Sequence, residues 1–116
     1  MKENVIVSKS FQFAIRIVKL SQHLVQEKKE FTLSKQILKS GSSIGSNIEE
    51  AEGGFSKKDF VAKMSIAYKE ARETKYWLKL LKETGYLDDH HYNSLVLDCE
   101  EILRLLFNII KTSRNQ

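Results

Sequence analysis

Residues 60–81 constrain this chain more than any other stretch. Phe60, Met64, Ala67, Ala71, Thr74, Leu78 and Leu81 recur at alternating spacings of four and three. That is an a/d seam sustained over three heptads, the pattern of a helix packed lengthwise against other helices. One flank of the seam reads Lys69, Arg72, Lys75, Lys79 and Lys82; the other reads Ile66, Glu70, Glu73, Trp77 and Leu80. One helix therefore carries a core edge, a basic stripe and a mixed acidic and aromatic edge.

The rest of the chain repeats the helical period. Phe11, Ile15, Val18 and Val25 form one apolar line near the N-terminus, and Phe13, Ile17, Leu20 and Leu24 form a second. Lys9, Gln12, Arg16, Lys19 and His23 follow another line of the same segment, and Ser8 or Ser10 suits its N-cap. Two adjacent apolar lines make a wider stripe than one partner helix needs. Leu33, Ile37, Ile44, Ile48 and Ala51 keep helical spacing through Ser40-Gly41-Ser42-Ser43-Ile44-Gly45-Ser46-Asn47, which alone reads as a loop. Gly41 and Gly45 are four apart on one face. Each costs a helix about 1 kcal/mol against alanine, and close approach of another backbone would offset that. The rival reading is a break near Gly41.

Gly53-Gly54 reads as a left-handed helix end. Ser56-Lys57-Lys58-Asp59 resembles a capping box, with aspartate for the usual glutamate. Gly85 closes the third segment, and Asp88 or Asp89 caps a fourth, in which Leu95, Cys99, Ile102, Leu106 and Ile109 line up while Tyr92, Val96, Leu103 and Ile110 widen the line. The expected helices span about 8–29, 32–52, 56–84 and 88–112, and no segment alternates with the period of a strand. The expected architecture is all-α: one domain over residues 1–116, an antiparallel up-down-up-down four-helix bundle. The surplus apolar lines on the first and fourth segments point to a homo-oligomer.

Composition narrows the class further. The chain has 116 residues and no proline, which fits long helices joined by short links. A chain of this length buries roughly two thirds of its unfolded surface without metals or disulfides. Its one cysteine, Cys99, excludes an internal disulfide framework and suits a reducing, cytoplasmic setting. The opening residues hold no apolar run of signal-peptide length, and no stretch approaches the ~20 apolar residues that span a bilayer. Net charge is +4, with the excess concentrated in two places: six basic against three acidic residues over 1–30, and eight against four over 56–84.

No motif for catalysis stands out. Gly41–Asn47 lacks the lysine and the preceding strand of a phosphate-binding loop, so helix packing is the better reading. Asp88-Asp89-His90-His91 places its histidines about 100° apart on a helix and has no complementary His/Cys cluster; capping fits better than metal binding. Glu49, Glu50 and Glu52 have no paired base or nucleophile nearby in sequence. Cys99 sits within an apolar line, as a core thiol would, and Trp77 and Tyr76 suit helix packing better than base stacking. No metal, cofactor or enzymatic activity is expected.

The basic stripe is the candidate site. Lys69, Arg72, Lys75, Lys79 and Lys82 share one line, while Glu70 and Glu73 fall on the opposite flank. Such a line attracts polyanions, and repetition of it in an oligomer multiplies the field. Arg16 and Lys19 are secondary candidates. The partner is RNA or DNA backbone, or alternatively the acidic surface of a protein for which this chain is a scaffold.

Three motifs, in order, resemble a known family. Ser10-Phe11-x-Phe13-Ala14-x-Arg16-Ile17-Val18-x-Leu20 is similar to the opening of the four-helix bundle proteins first noticed inside 23S rRNA intervening sequences. The likeness continues through Gln36-Ile37-Leu38-Lys39-Ser40-Gly41-x-Ser43-Ile44-Gly45-x-Asn47-Ile48-x-Glu50-Ala51. It resumes at Asp59-Phe60-x-x-Lys63-Met64-x-Ile66-Ala67-x-Lys69-Glu70-Ala71-Arg72-Glu73-Thr74-x-Tyr76-Trp77-Leu78. The resemblance implies an up-down bundle, a ring-like homo-oligomer (a pentamer), and a helical Gly41/Gly45 stretch. It brings no catalytic residues. It also implies kinship with accessory proteins of diversity-generating retroelements, which bind nucleic acid and a reverse transcriptase through a basic surface.

Overall fold

A computed structural model describes residues 4–115. Four helices account for most of them: α1 (Asn4–Gln26), α2 (Leu33–Glu52), α3 (Lys57–Glu83) and α4 (Asp89–Arg114). No strand occurs among the described residues. They form an all-α bundle about 46 Å long and 22 by 21 Å across. α2 packs against α1 and α3, α4 packs against α3, and the α1–α4 contact is the thinnest.

The a/d seam of α3 is the centre of the core. Met64, Ala67, Ala71, Thr74, Leu78 and Leu81 are all fully buried, and Phe60 is half-buried at the end of the line. The two apolar lines of α1 have different fates. Phe13, Ile17, Leu20 and Leu24 are buried, whereas Phe11, Val18 and Val25 stay exposed and Ile15 is half-buried. On α4, Leu95, Cys99, Ile102 and Leu106 are buried and Ile109 is half-buried. Two buried hydroxyls meet in this core, Thr74 Oγ1 and Ser40 Oγ at 2.9 Å, joining α3 to α2.

α2 runs unbroken through the Ser-Gly stretch. The polar residues that read as a loop donate instead to carbonyls of their own helix: Ser43 Oγ to Lys39 at 2.6 Å, Asn47 Nδ2 to Ser43 at 2.8 Å and Ser46 Oγ to Ser43 at 3.2 Å. These groups thus satisfy themselves without leaving the helix. The two glycines differ. A Cβ on Gly41 would lie 2.7 Å from Ile17 Cγ2, so only glycine fits as α1 is now packed. A Cβ on Gly45 would meet the Ser10 carbonyl oxygen at 3.5 Å, an ordinary contact. The close backbone approach lies at Gly45; at Gly41 the neighbour is a side chain.

Several boundaries depart from the sequence reading. α1 begins at Asn4, four residues before the expected start, and ends three residues before Lys29. Ser10 is therefore no cap; it is buried within α1 and donates to the Val7 carbonyl at 3.1 Å. Lys29 adopts a left-handed backbone with φ 55° in the turn that follows. The start of α2 is capped from outside the helix. Glu30 accepts the Ser34 amide at 2.8 Å and the Thr32 amide at 3.3 Å, while Thr32, at the N-cap position, makes no side-chain cap bond. Gly53 ends α2 at φ −92°, not in the left-handed region, and its amide reaches the Glu49 and Glu50 carbonyls. Ser56 caps α3 through the Asp59 amide, Gly85 follows α3 at φ +88°, and Asp88 caps α4 through the His91 amide, each as the sequence indicates.

Candidate nucleic-acid interface

The five cations on α3 do not share one environment. Lys75 and Lys82 border α4, where acidic residues meet them. Lys75 Nζ lies 3.0 Å from Glu100 Oε2. Lys82 Nζ lies 3.7 Å from Glu83, 4.0 Å from Asp89 and 4.9 Å from the centre of the Tyr92 ring. Lys69, Arg72 and Lys79 are exposed on the outer surface of α3, and none has a carboxylate within ion-pairing distance among the described residues. At about 100° per residue the five fan over about 140° of the helix surface, and Lys75 and Lys82 occupy the edge next to α4. Charges on α4 then decide which cations remain available.

The acidic edge of the same helix is also engaged. Glu73 Oε2 accepts the Trp77 indole N–H at 3.1 Å, which turns it from the cations. Partial burial and the neighbouring Glu73 charge push the Glu70 carboxyl above its ordinary range, against the pull of Lys39 and Lys69. Tyr76 is exposed, with its ring 5.1 Å from that of Trp77 in an edge-on arrangement, whereas Trp77 is half-buried against the core. Packing thus accounts for Trp77 and not for Tyr76. The outer face of α3 presents three unpaired cations and an exposed aromatic ring.

The secondary candidates on α1 separate in the same way. The Arg16 guanidinium reaches α4, 2.6 Å from Asp98 Oδ2 and 2.9 Å from Ser94 Oγ. Lys9 pairs with Glu101 at 3.1 Å across the same thin contact. Lys19 has no such partner among the described residues; it lines a cleft with His23 and Lys28 beside the start of α4. Sequence spacing put Lys19 and His23 on one line, but Lys28 lies in the turn after α1, beyond the reach of helical periodicity.

The remaining sequence candidates are structural. Cys99 is buried, donates to the Ala71 carbonyl at 3.3 Å and has its thiol pushed up to about 12 by burial, so it is no nucleophile at neutral pH. Asp88 accepts the His91 amide at 2.8 Å and contacts the His91 ring at 2.9 Å, which holds its carboxyl below the usual range. Among Glu49, Glu50 and Glu52, Glu50 pairs with Lys63 across α2 and α3 at 2.7 Å. No helix among the described residues is long and apolar enough to cross a membrane.

The comparisons agree with this architecture. No curated protein matches the chain. A crystal structure from Bacteroides thetaiotaomicron VPI-5482, described as a protein with unknown function from the S23 ribosomal protein family, is 55% identical with a TM-score of 0.94. The match covers 96% of this chain and 99% of that one. The profile of the 23S rRNA-intervening sequence proteins matches residues 2–108. The four-helix bundle described above therefore belongs to the 23S rRNA-intervening sequence protein family.

Proposed function

We propose that this protein is a non-enzymatic, cytoplasmic, homo-oligomeric bundle that binds the backbone of RNA or DNA through the outer face of α3. The observation that carries this is the set Lys69, Arg72 and Lys79, exposed on one face without a carboxylate partner among the described residues. Cations left unpaired in the chain release counterions from a polyanion on binding, which favours association at low salt. Contacts to phosphates position a strand without reading its sequence.

The subunit is an antiparallel up-down-up-down bundle and a single domain. In support, contacts pair residues in opposing order: Ile17 with Gly41 and Ser10 with Gly45, Ser40 with Thr74 and Glu50 with Lys63, Lys75 with Glu100 and Lys82 with Asp89. Subunits meet through the outer line of α1, where Phe11, Val18 and Val25 are exposed beside half-buried Ile15. Such an apolar line is what an interface covers. The family resemblance favours a pentamer, in which the basic face recurs around a ring.

The second reading is a protein-interaction scaffold, or an accessory subunit of a partner enzyme such as a reverse transcriptase. Exposed Phe107 on α4 favours it, because its ring lies 6.4 Å from that of Tyr68 on α3 and so offers an aromatic contact on a different helix from the α1 line. The experiment that separates the two titrates nuclease-treated protein into labelled single- and double-stranded RNA and DNA at about 50 and about 200 mM salt. Binding that falls by roughly an order of magnitude across that range supports the nucleic-acid reading. No binding at the lower salt refutes it and leaves the scaffold.

A further inference from the structure

We propose that the cleft between the second half of α1 and the start of α4 binds a phosphorylated organic anion of the nucleotide class. This site is separate from the outer face of α3 and does not depend on the reading given for it. The cleft encloses about 690 Å3, within the ~300–1,000 Å3 typical of small-molecule sites. It opens beside the α1–α4 contact, the thinnest helix pair of the bundle. Gly85 lies on its rim, where an added side chain would meet nothing within 4 Å.

Its chemistry has two parts. The floor is apolar: Leu20, Leu87 and Leu95 line it, each less than a tenth exposed, beside half-buried Tyr86. That surface accepts a flat ring, which an aromatic side chain holds by stacking. The wall is basic. Lys19, His23 and Lys28 line it, and neither lysine has a carboxylate within ion-pairing distance among the described residues. Arg16 is also on the wall, fixed in orientation by Asp98 and Ser94. The one carboxylate on the lining is Asp88, which is occupied by the His91 amide and ring. Two unpaired lysines, with the oriented Arg16 guanidinium beside them, outnumber the one carboxylate on the lining and match a phosphate chain attached to a ring.

The test is calorimetric titration of the whole protein with ATP as the probe, with adenosine and tripolyphosphate as the two half-ligands. Saturable ATP binding is expected, weakened roughly tenfold or more in the Lys19→Glu/Lys28→Glu variant and unchanged in Lys69→Glu/Lys79→Glu. All four lysines are exposed, and circular dichroism confirms that each variant keeps its helices. No saturable binding up to about millimolar ATP overturns the proposal. So does tripolyphosphate binding as tightly as ATP, or an equal loss in both variants, since either means general attraction of polyanions. A 5′-phosphorylated trinucleotide and its unphosphorylated counterpart then compete for the site. Displacement by the phosphorylated form alone upholds the cleft as a seat for a strand end; no displacement by either upholds it as a seat for free nucleotide.

Discussion

Gly41 faces Ile17 across the α1–α2 contact so closely that a Cβ on the glycine would lie 2.7 Å from Ile17 Cγ2 and 3.1 Å from Ile17 Cβ. The Ile17 Cβ is fixed to the backbone, so α1 itself must shift to admit a methyl group. Overpacking of this kind costs about 1–3 kcal/mol, against a helix-propensity gain of about 1 kcal/mol. Gly41→Ala is therefore expected to lower stability by about 1–2 kcal/mol. Gly45→Ala, with its added Cβ at 3.5 Å from Ser10, is expected to be neutral or to stabilise by up to about 1 kcal/mol. Urea unfolding of both variants at one protein concentration checks the pair; equal losses would contradict the distinction.

The buried bond between Thr74 and Ser40 sets up a second prediction. Thr74 Oγ1 also lies 2.8 Å from the Glu70 carbonyl, and Ser40 Oγ lies 3.4 Å from the Ile37 carbonyl. Thr74→Val keeps the shape but removes the bond donated to Ser40 Oγ, which still donates to the Ile37 carbonyl, at a cost of about 0.5–1.5 kcal/mol. Ser40→Ala/Thr74→Val removes both hydroxyls and is expected to cost less than the sum of the single changes. Denaturant midpoints of the two single variants and the double variant measure the coupling.

The cap of α4 makes stability depend on pH. Asp88 has its carboxyl held below its ordinary value of 3.8, first by the His91 amide and then by the His91 ring. Its contribution is therefore complete above that ordinary value and is lost as pH falls through the lower, folded value. Asp88→Ala is expected to melt below the parent at neutral pH, with the gap closing on acidification below about pH 4. A gap that stays constant into acid would remove the carboxylate from the account. Thermal melts followed by circular dichroism read this directly.

The outer line of α1 carries the prediction about assembly. Phe11 and Val18 are 59% and 38% exposed, so replacing them with glutamate leaves the core intact while placing charge in the interface. The parent is expected to scatter light as a multiple of its 13.4 kDa subunit, and Phe11→Glu/Val18→Glu as a monomer with unchanged helix content. A parent of monomer mass would reject homo-oligomerisation.

The seam from Phe60 to Leu81 was legible because a buried heptad leaves its spacing in the sequence, and six of its seven positions are fully buried. Helicity through Gly41 was legible for the same reason. The caps that make only short-range bonds, Ser56 and Asp88, were legible too. The cap supplied by Glu30 was not, because a glutamate two residues before the N-cap position is not a residue type or place that marks a helix start. The division of the α3 stripe was hidden for a further reason. Whether Lys75 is free depends on Glu100, and whether Arg16 is free depends on Asp98, and those pairings exist only once α4 is in place. The cleft was invisible because Lys28, Tyr86 and Leu87 come from turns with no period to reveal them.

The most direct measurement compares two charge reversals on α3 for binding to labelled RNA and DNA at about 50 mM salt. Lys69→Glu/Arg72→Glu/Lys79→Glu changes the unpaired cations, and Lys75→Glu/Lys82→Glu changes those held by α4. The account predicts that the triple variant abolishes binding and its salt dependence, while the double variant weakens binding far less. Full affinity in the triple variant would contradict it.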